Sequence, residues 1–181
     1  MSTPPLRLFF ALPCPEPLAT SIALWREAAR CEGKAVATRN LHLTLAFLGQ
    51  QPRGCVAELK AIAENLAGEP FTLRLDQLRC WHNGLLHLAP DHPPPALLAL
   101  AANLQDGLRA AGFAIERRPF HPHLTLARHC PHLPGAAAPT LDWPVNQFAL
   151  FASENTASGA HYRALGNWPL LPQDSNERFT Q

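Results

Sequence analysis

Two copies of one tetrapeptide hold the residues of this chain best suited to chemistry: His42-Leu43-Thr44-Leu45 and His123-Leu124-Thr125-Leu126. Each sits in a Leu-rich run of strand length. On a strand, alternate side chains share a face, so each His lies with its Thr while the two leucines point the other way. Each copy then offers one imidazole and one hydroxyl from a stiff backbone. Imidazole titrates near neutral pH, so one ring can give a proton while a second takes one. Two rings on opposite sides of a phosphorus atom suit an in-line displacement. One deprotonates the incoming hydroxyl or water, and the other protonates the departing oxygen. Thr44 and Thr125 would donate to the charge that gathers on the non-bridging oxygens. A strained five-membered cyclic phosphate needs no metal for this. The other reading of a histidine on an apolar strand is a hydrogen-bonded core residue, and two identical tetrapeptides weigh against it.

The surrounding pattern supplies elements to carry both motifs. Leu6 to Leu12 reads as a buried strand ending at Pro13. Pro15 and Pro17 open a helix with Leu18, Ile22, Trp25 and Ala29 on one face through Arg30, stopped at Gly33. Asn40 and Leu41 lead into the first His-x-Thr strand, which closes with Phe47, Leu48 and Gly49. A second helix follows Pro52, with Val56, Leu59, Ile62, Ala63 and Leu66 inward. Phe71, Leu73 and Leu75 alternate with polar residues as a half-buried strand. Asn83-Gly84 predicts a hairpin from that strand, or its continuation Leu78–Trp81, to Leu85–Leu88. Pro93-Pro94-Pro95 starts a third helix striped by Leu97, Ala101, Leu104, Leu108 and Ala111 and capped by Gly112. Phe113–Ile115 reads as a short strand, and the second motif runs to Arg128. Residues 129–144 read as a surface loop, Phe148–Ser153 as a strand, 154–160 as a polar turn and His161–Leu165 as the returning strand. Helices mixed with hairpins predict an α+β fold with mainly antiparallel sheets. One domain is expected over residues 1–172, with a polar tail at 173–181. A helix followed by a His-x-Thr strand in each half suggests a diverged duplication.

At 181 residues and a formal net charge of +1, the chain can bury a real core and has no bulk basic character for nucleic acid, though a local basic groove is still open to it. Five cysteines, Cys14, Cys31, Cys55, Cys80 and Cys130, form an odd unpaired set that reads as reduced thiols in a cytoplasmic protein. No leader and no membrane-length apolar run is seen in the sequence. His121, His123, Cys130 and His132 match no zinc spacing, so no metal or other cofactor is expected.

The runs Asn40-Leu41-His42-Leu43-Thr44-Leu45-Ala46-Phe47-Leu48-Gly49 and Arg118-Pro119-Phe120-His121-Pro122-His123-Leu124-Thr125-Leu126-Ala127-Arg128 resemble the two signatures of the two-histidine phosphoesterase superfamily. They are similar to its bacterial branch of RNA 2′,3′-cyclic phosphodiesterases, also called 2′-5′ RNA ligases. Arg7–Leu12 is similar to that branch's first strand, and Phe148–Ser153 with His161-Tyr162 to its last hairpin. The resemblance implies a two-lobed, pseudo-twofold fold, with two mainly antiparallel sheets flanking a central cleft and helices outside. It implies hydrolysis of RNA 2′,3′-cyclic phosphate ends to 2′-phosphomonoesters, with reversible 2′-5′ ligation as the opposite direction. His42 would be the general acid and His123 the base. The two motifs are too alike to assign that direction independently.

Arg128 matches the arginine closing the second signature and would hold the phosphate. Strict alternation instead puts it on the leucine face, where it would form a structural ion pair unless the strand ends or bulges. Phe9 or Phe10 would stack on a base, and only one can face the cleft. Tyr162 would line it too. His121 is a phosphate contact or a bystander, and Lys34, Arg39, Arg117 and Arg118 would flank the mouth if clustered. His82, His87, His92, His129 and His161 read as surface or loop residues. The expected partner is RNA with a cyclic phosphate end, such as a tRNA fragment, bound by a monomer without membrane contact. A small cyclic nucleotide of the ADP-ribose 1″,2″-cyclic phosphate type is the alternative substrate, and an RNA-end-binding module without turnover the alternative class.

Overall fold

The computed structural model describes residues 4–156 and 159–172. In chain order the elements are β1 (Leu6–Pro13), α1 (Glu16–Ala28), β2 (Lys34–Ala35), β3 (His42–Gln51), α2 (Val56–Glu64), β4 (Phe71–Leu75), β5 (Gln77–Cys80), β6 (Leu86–Ala89), α3 (Pro95–Ala110), β7 (Leu124–Arg128), β8 (Leu141–Val145), β9 (Gln147–Thr156) and β10 (Gly159–Pro169). The fold is α+β with two antiparallel sheets. A larger sheet of eight strands runs β10-β9-β1-β3-β7-β6-β5, with β2 also on β7, and a smaller one pairs β4 with β8. No helix among the described residues is long and apolar enough to cross a membrane. The expected tail at 173–181 and part of the polar turn lie outside the described residues.

The larger sheet is really two half-sheets. β3 and β7, the strands of the two His-x-Thr motifs, meet at a single residue pair, Leu43 with Leu124. Both leucines are fully buried. An antiparallel pair is twofold symmetric by its nature. That one pair therefore sets His42 and Thr44 on one side, and His123 and Thr125 on the other, around a common local axis.

Both motif strands bulge just past the threonine. Opposite β1, the register of β3 skips Leu45, so Phe10 faces Ala46 and Ala11 faces Thr44. Opposite β6, the register of β7 skips Leu126, so Leu86 faces Ala127 and His87 faces Thr125. A bulge puts two consecutive residues on one face. Leu45 with Ala46, and Leu126 with Ala127, are accordingly all buried. The next residue returns to the histidine side: Phe47 in one copy and Arg128 in the other.

A bulge also takes a carbonyl out of the ladder, and a buried carbonyl needs a donor. A helix side chain donates in each half, and the Leu126 carbonyl also accepts from the Val36 N–H at 2.9 Å. Gln105 of α3 donates from Nε2 to the Leu45 carbonyl at 2.9 Å, and Arg26 of α1 donates from a guanidinium N–H to the Leu126 carbonyl at 2.8 Å. Arg26 also reaches the Val36 carbonyl at 2.8 Å. Burial makes its guanidinium easier to deprotonate than usual.

The core is contiguous and draws on all three helices. Ile22 of α1, Leu59 of α2 and Leu97, Ala101, Leu104 and Leu108 of α3 are buried as the apolar spacing predicts. Ala111 is exposed, one residue beyond α3, and Leu100 takes its place in the stripe. The hairpin at Asn83-Gly84 joins β5 to β6, so the continuation, not β4, is its first strand. Gly84 has φ +77°, and a Cβ there would meet the Cys130 backbone at 3.0 Å, so the turn requires glycine.

Four expectations fail. The stretch 154–160 is not a turn throughout, because 154–156 belong to β9 and 159–160 to β10. Phe113–Ile115 is irregular. The region 129–144 is not all loop, because Leu141–Val145 forms β8 and buries Trp143. The second motif strand starts at Leu124, leaving His123 just ahead of it.

Removing either bulge donor while keeping its helix intact should cost about 1–3 kcal/mol. Gln105→Leu and Arg26→Met are therefore expected to lower the denaturant midpoint with little change in slope. Wild-type midpoints in both would show that the bulge carbonyls do not depend on these donors.

Candidate active site

The histidine pair is held by main chain. His42 Nδ1 lies 2.6 Å from the Asn40 carbonyl and His123 Nδ1 lies 2.7 Å from the His121 carbonyl, each two residues upstream. A carbonyl only accepts, so Nδ1 carries the proton in both rings and leaves Nε2 as the reactive nitrogen. The two copies then differ. His42 Nε2 is 3.1 Å from Thr44 Oγ1. No hydrogen bond ties His123 Nε2 to a described residue. Asn40 is itself buried and donates from its side chain to the Ala160 carbonyl at 2.7 Å, locking the loop before β3 to β10. Sequence reading treated Asn40 only as a lead-in. Its buried amide sets the carbonyl that orients His42.

Each ring has an aromatic wall. Phe9 and Tyr162 lie 5.0 and 5.2 Å from the His42 ring, and 5.0 Å from each other. Trp81 and His87 lie 4.7 and 5.4 Å from the His123 ring, and 4.5 Å from each other. Phe9 is therefore the first-strand aromatic on the site face, and Phe10 belongs to the core with Phe148 and Trp168. Phe9 is only 5% exposed, so its contact is with the imidazole and little ring is left for a base. Tyr162 and Phe151 are half-buried beside it.

Arg128 stands on the histidine side of β7. Its charge bears on both His42 and His123, making each harder to protonate. The bulge at Leu126 is the reason, because it reverses the alternation that would have sent Arg128 to the leucine face. Thr125 follows the same parity and sits half-buried opposite His87. Lys34 is the register partner of Arg128 and adds a second cation at that edge. Arg118 is instead engaged by Glu116, and Arg39 and Arg117 are simply exposed. His121 contributes its carbonyl, while its ring is exposed.

His87 corrects the sequence reading. It is not a surface or loop residue but lies in β6 at 2% exposure, packed on His123. Its Nδ1–H donates to the Leu85 carbonyl at 3.2 Å, the same bond to the residue two upstream that holds His42 and His123. The signal was present in Leu86-His87-Leu88, where two core leucines force the histidine to the opposite face. Trp81, 37% exposed at the hairpin end, was read only as strand. The remaining four, His82, His92, His129 and His161, are exposed as expected. Among the described residues, no group of three or more His, Cys, Asp or Glu is placed to hold a metal ion. All five cysteines are unpaired.

Burial disfavours the imidazolium form and lowers the pKa of His42, His87 and His123. The Nδ1 bonds oppose this only in part.

A fold of this kind with paired main-chain-held imidazoles, walled by aromatics and sharing one arginine, defines a two-histidine phosphoesterase architecture. The sequence profile of the 2′-5′ RNA ligase superfamily matches residues 14–156, and the chain belongs to that superfamily. It is 34% identical to an RNA 2′,3′-cyclic phosphodiesterase of Escherichia coli K12, over 92% of this chain and 97% of the relative. It is 31% identical to one from Thermus thermophilus, over 96% of this chain and 94% of that one. The crystal structure of E. coli LigT complexed with 3′-AMP superposes with a TM-score of 0.83 at 34% identity, covering 92% and 98% of the two chains.

The depressed imidazoles give a pH signature. The unfolded chain, with ordinary histidines near pKa ~6.5, binds more protons than the folded one as pH falls. Stability is therefore full above that range and should decline as pH drops from about 7 towards 5. Replacing His87 by Phe keeps a ring against His123 and removes one such group, so His87→Phe should flatten the decline. An unchanged slope of melting temperature against pH would exclude His87 as a contributor.

Proposed function

We propose that this chain is a metal-independent RNA 2′,3′-cyclic phosphodiesterase that opens the cyclic phosphate to a 2′-phosphomonoester. The observation that carries the reading is the pair of Nε2 atoms, oriented by main chain around one local axis, with Arg128 acting on both rings.

In the proposed step, water attacks phosphorus as His123 Nε2 takes its proton. The bond from phosphorus to O3′ breaks, and protonated His42 gives its Nε2 proton to that oxygen. The phosphate stays on O2′. Among the described residues no hydrogen bond reaches His123 Nε2, which supports its role as base, because there its lone pair is uncommitted. The Thr44 hydroxyl supports His42 as acid, because it can accept from the imidazolium before substrate arrives. Arg128 neutralises the phosphate charge, and Thr125 donates to a non-bridging oxygen. An anion between the rings reverses the effect of burial and lets one ring carry the proton. With a 5′-hydroxyl in place of water, the same step joins RNA ends by a 2′-5′ bond with both imidazoles in the same roles, and they exchange roles only when that bond is cleaved back to the cyclic phosphate. The proposed setting is a cytoplasmic monomer, its residues 1–172 acting as one bilobal unit on RNA ends such as tRNA fragments. Five unpaired thiols support the reducing compartment.

His42→Ala and His123→Ala should each lower turnover of an oligonucleotide 2′,3′-cyclic phosphate by about 10²–10⁴-fold, in the presence of chelator. Phosphorus NMR of the wild-type product should show a 2′-phosphate. Full activity in either variant refutes the paired mechanism, and a 3′-phosphate product overturns the acid and base assignment.

A further inference from the structure

The same local axis that relates the two motifs exposes a difference between them. The residue after the bulge is Arg128 in one copy and Phe47 in the other. Phe47 is 48% exposed, which is unusual for a large apolar side chain on a strand. It lies on the site face, because its register partner on β1 is Phe9, the ring that touches His42. Arg7, two residues before Phe9 and on the same face, lays its guanidinium over the Phe47 ring at 5.0 Å from the centroid. Arg7 is exposed and makes no ion pair with any described residue. The first half thus lacks a cation at the Arg128 position and presents one from the neighbouring strand, flattened on an aromatic.

The two arginines reach different places. Arg128 acts on both imidazoles, whereas Arg7 is not among the charges that act most on His42. Arg7 stands about 7 Å further out along β1 than Phe9, roughly one nucleotide step of an extended strand. The direction also fits the proposed step, on which this inference rests. The oxygen released to His42 stays on the substrate ribose, so the ribose and the RNA upstream of it lie on the half that holds His42, Phe9, Phe47 and Arg7. Water approaches from the His123 half.

We propose that Arg7, held by Phe47, is a second phosphate subsite that takes the internucleotide phosphate immediately upstream of the cyclic end. The ring fixes the guanidinium, and an otherwise mobile side chain is ordered before RNA arrives. Its free N–H edge is available to two phosphate oxygens. The subsite makes the chain a reader of RNA ends rather than of free cyclic nucleotides.

The test compares adenosine 2′,3′-cyclic phosphate with the dinucleotide ApA 2′,3′-cyclic phosphate, measuring kcat/KM for wild type, Arg7→Gln and Phe47→Leu. Wild type should prefer the dinucleotide by about tenfold or more, the worth of one charge-assisted contact. Arg7→Gln should abolish that preference, and Phe47→Leu should reduce it. Equal rates on the two substrates in wild type, or equal losses on both in Arg7→Gln, overturn the subsite and leave the proposed activity standing. If wild type turns over neither substrate, the activity reading falls. Anisotropy of labelled mono- and dinucleotides bearing a 2′-phosphate then decides the subsite: it stands if Arg7→Gln weakens only the dinucleotide, and fails if both bind alike.

Discussion

The site depends on one backbone pairing, Leu43 against Leu124. Antiparallel pairing of two copies of the same tetrapeptide brings four polar side chains around a twofold without any side chain having to bridge the halves. The leucines anchor it because both are fully buried on the opposite face. A slip of either strand by one residue would turn its histidine into the core and its two leucines out. The penalty for burying an imidazole and exposing two leucines makes this register far more favourable than its neighbours. The chemistry therefore inherits its geometry from the hydrophobic side of the same strands.

The bulges extend the logic one residue further. Without them, alternation would put Phe47 and Arg128 among the leucines, and neither belongs there. With them, each strand loses one ladder position and frees a buried carbonyl. Gln105 makes this tolerable at Leu45, and at Leu126 Arg26 does so together with the Val36 N–H. The helices thus do more than cover the sheet. They stabilise the irregularity that returns Arg128 to the histidine side of one strand and Phe47 to that of the other.

Much of this was legible in the residues, and the failures have definite causes. Period-3.6 leucine stripes gave all three helices, and Asn83-Gly84 marked its hairpin, because both signals are local. The bulges were invisible: they are a property of pairing between strands distant in the chain, and Arg128 was ambiguous for that reason alone. β8 was hidden by Pro144, which reads as loop. β8 pairs only with β4, so it is an edge strand, where a missing N–H costs no ladder bond. His87 reads as a surface or loop residue because a single histidine in a short strand gives no sign of its burial until the facing strand is known. Phe113 and Ile115 are apolar and pack partly buried against the core without strand geometry.

Symmetry alone would be a poor design for acid–base work. Two identical imidazoles on a common phosphate have no reason to move protons in one direction. The fold departs from symmetry at the atoms that matter. His42 Nε2 already has a hydroxyl partner and an aromatic wall of carbon and phenol, whereas His123 Nε2 has no hydrogen-bond partner among the described residues and its wall includes a second imidazole. That third imidazole is itself disfavoured from charging by burial and by His123, so protonating either of the neighbours discourages the other. On the His123 side the environment favours a lone pair, and on the His42 side it offers an acceptor for an N–H. The cations are unequal as well, with Arg128 at the centre and Arg7 displaced one strand outward on Phe47. The paired motif strands supply the placement, and these few unshared contacts set the two imidazoles apart.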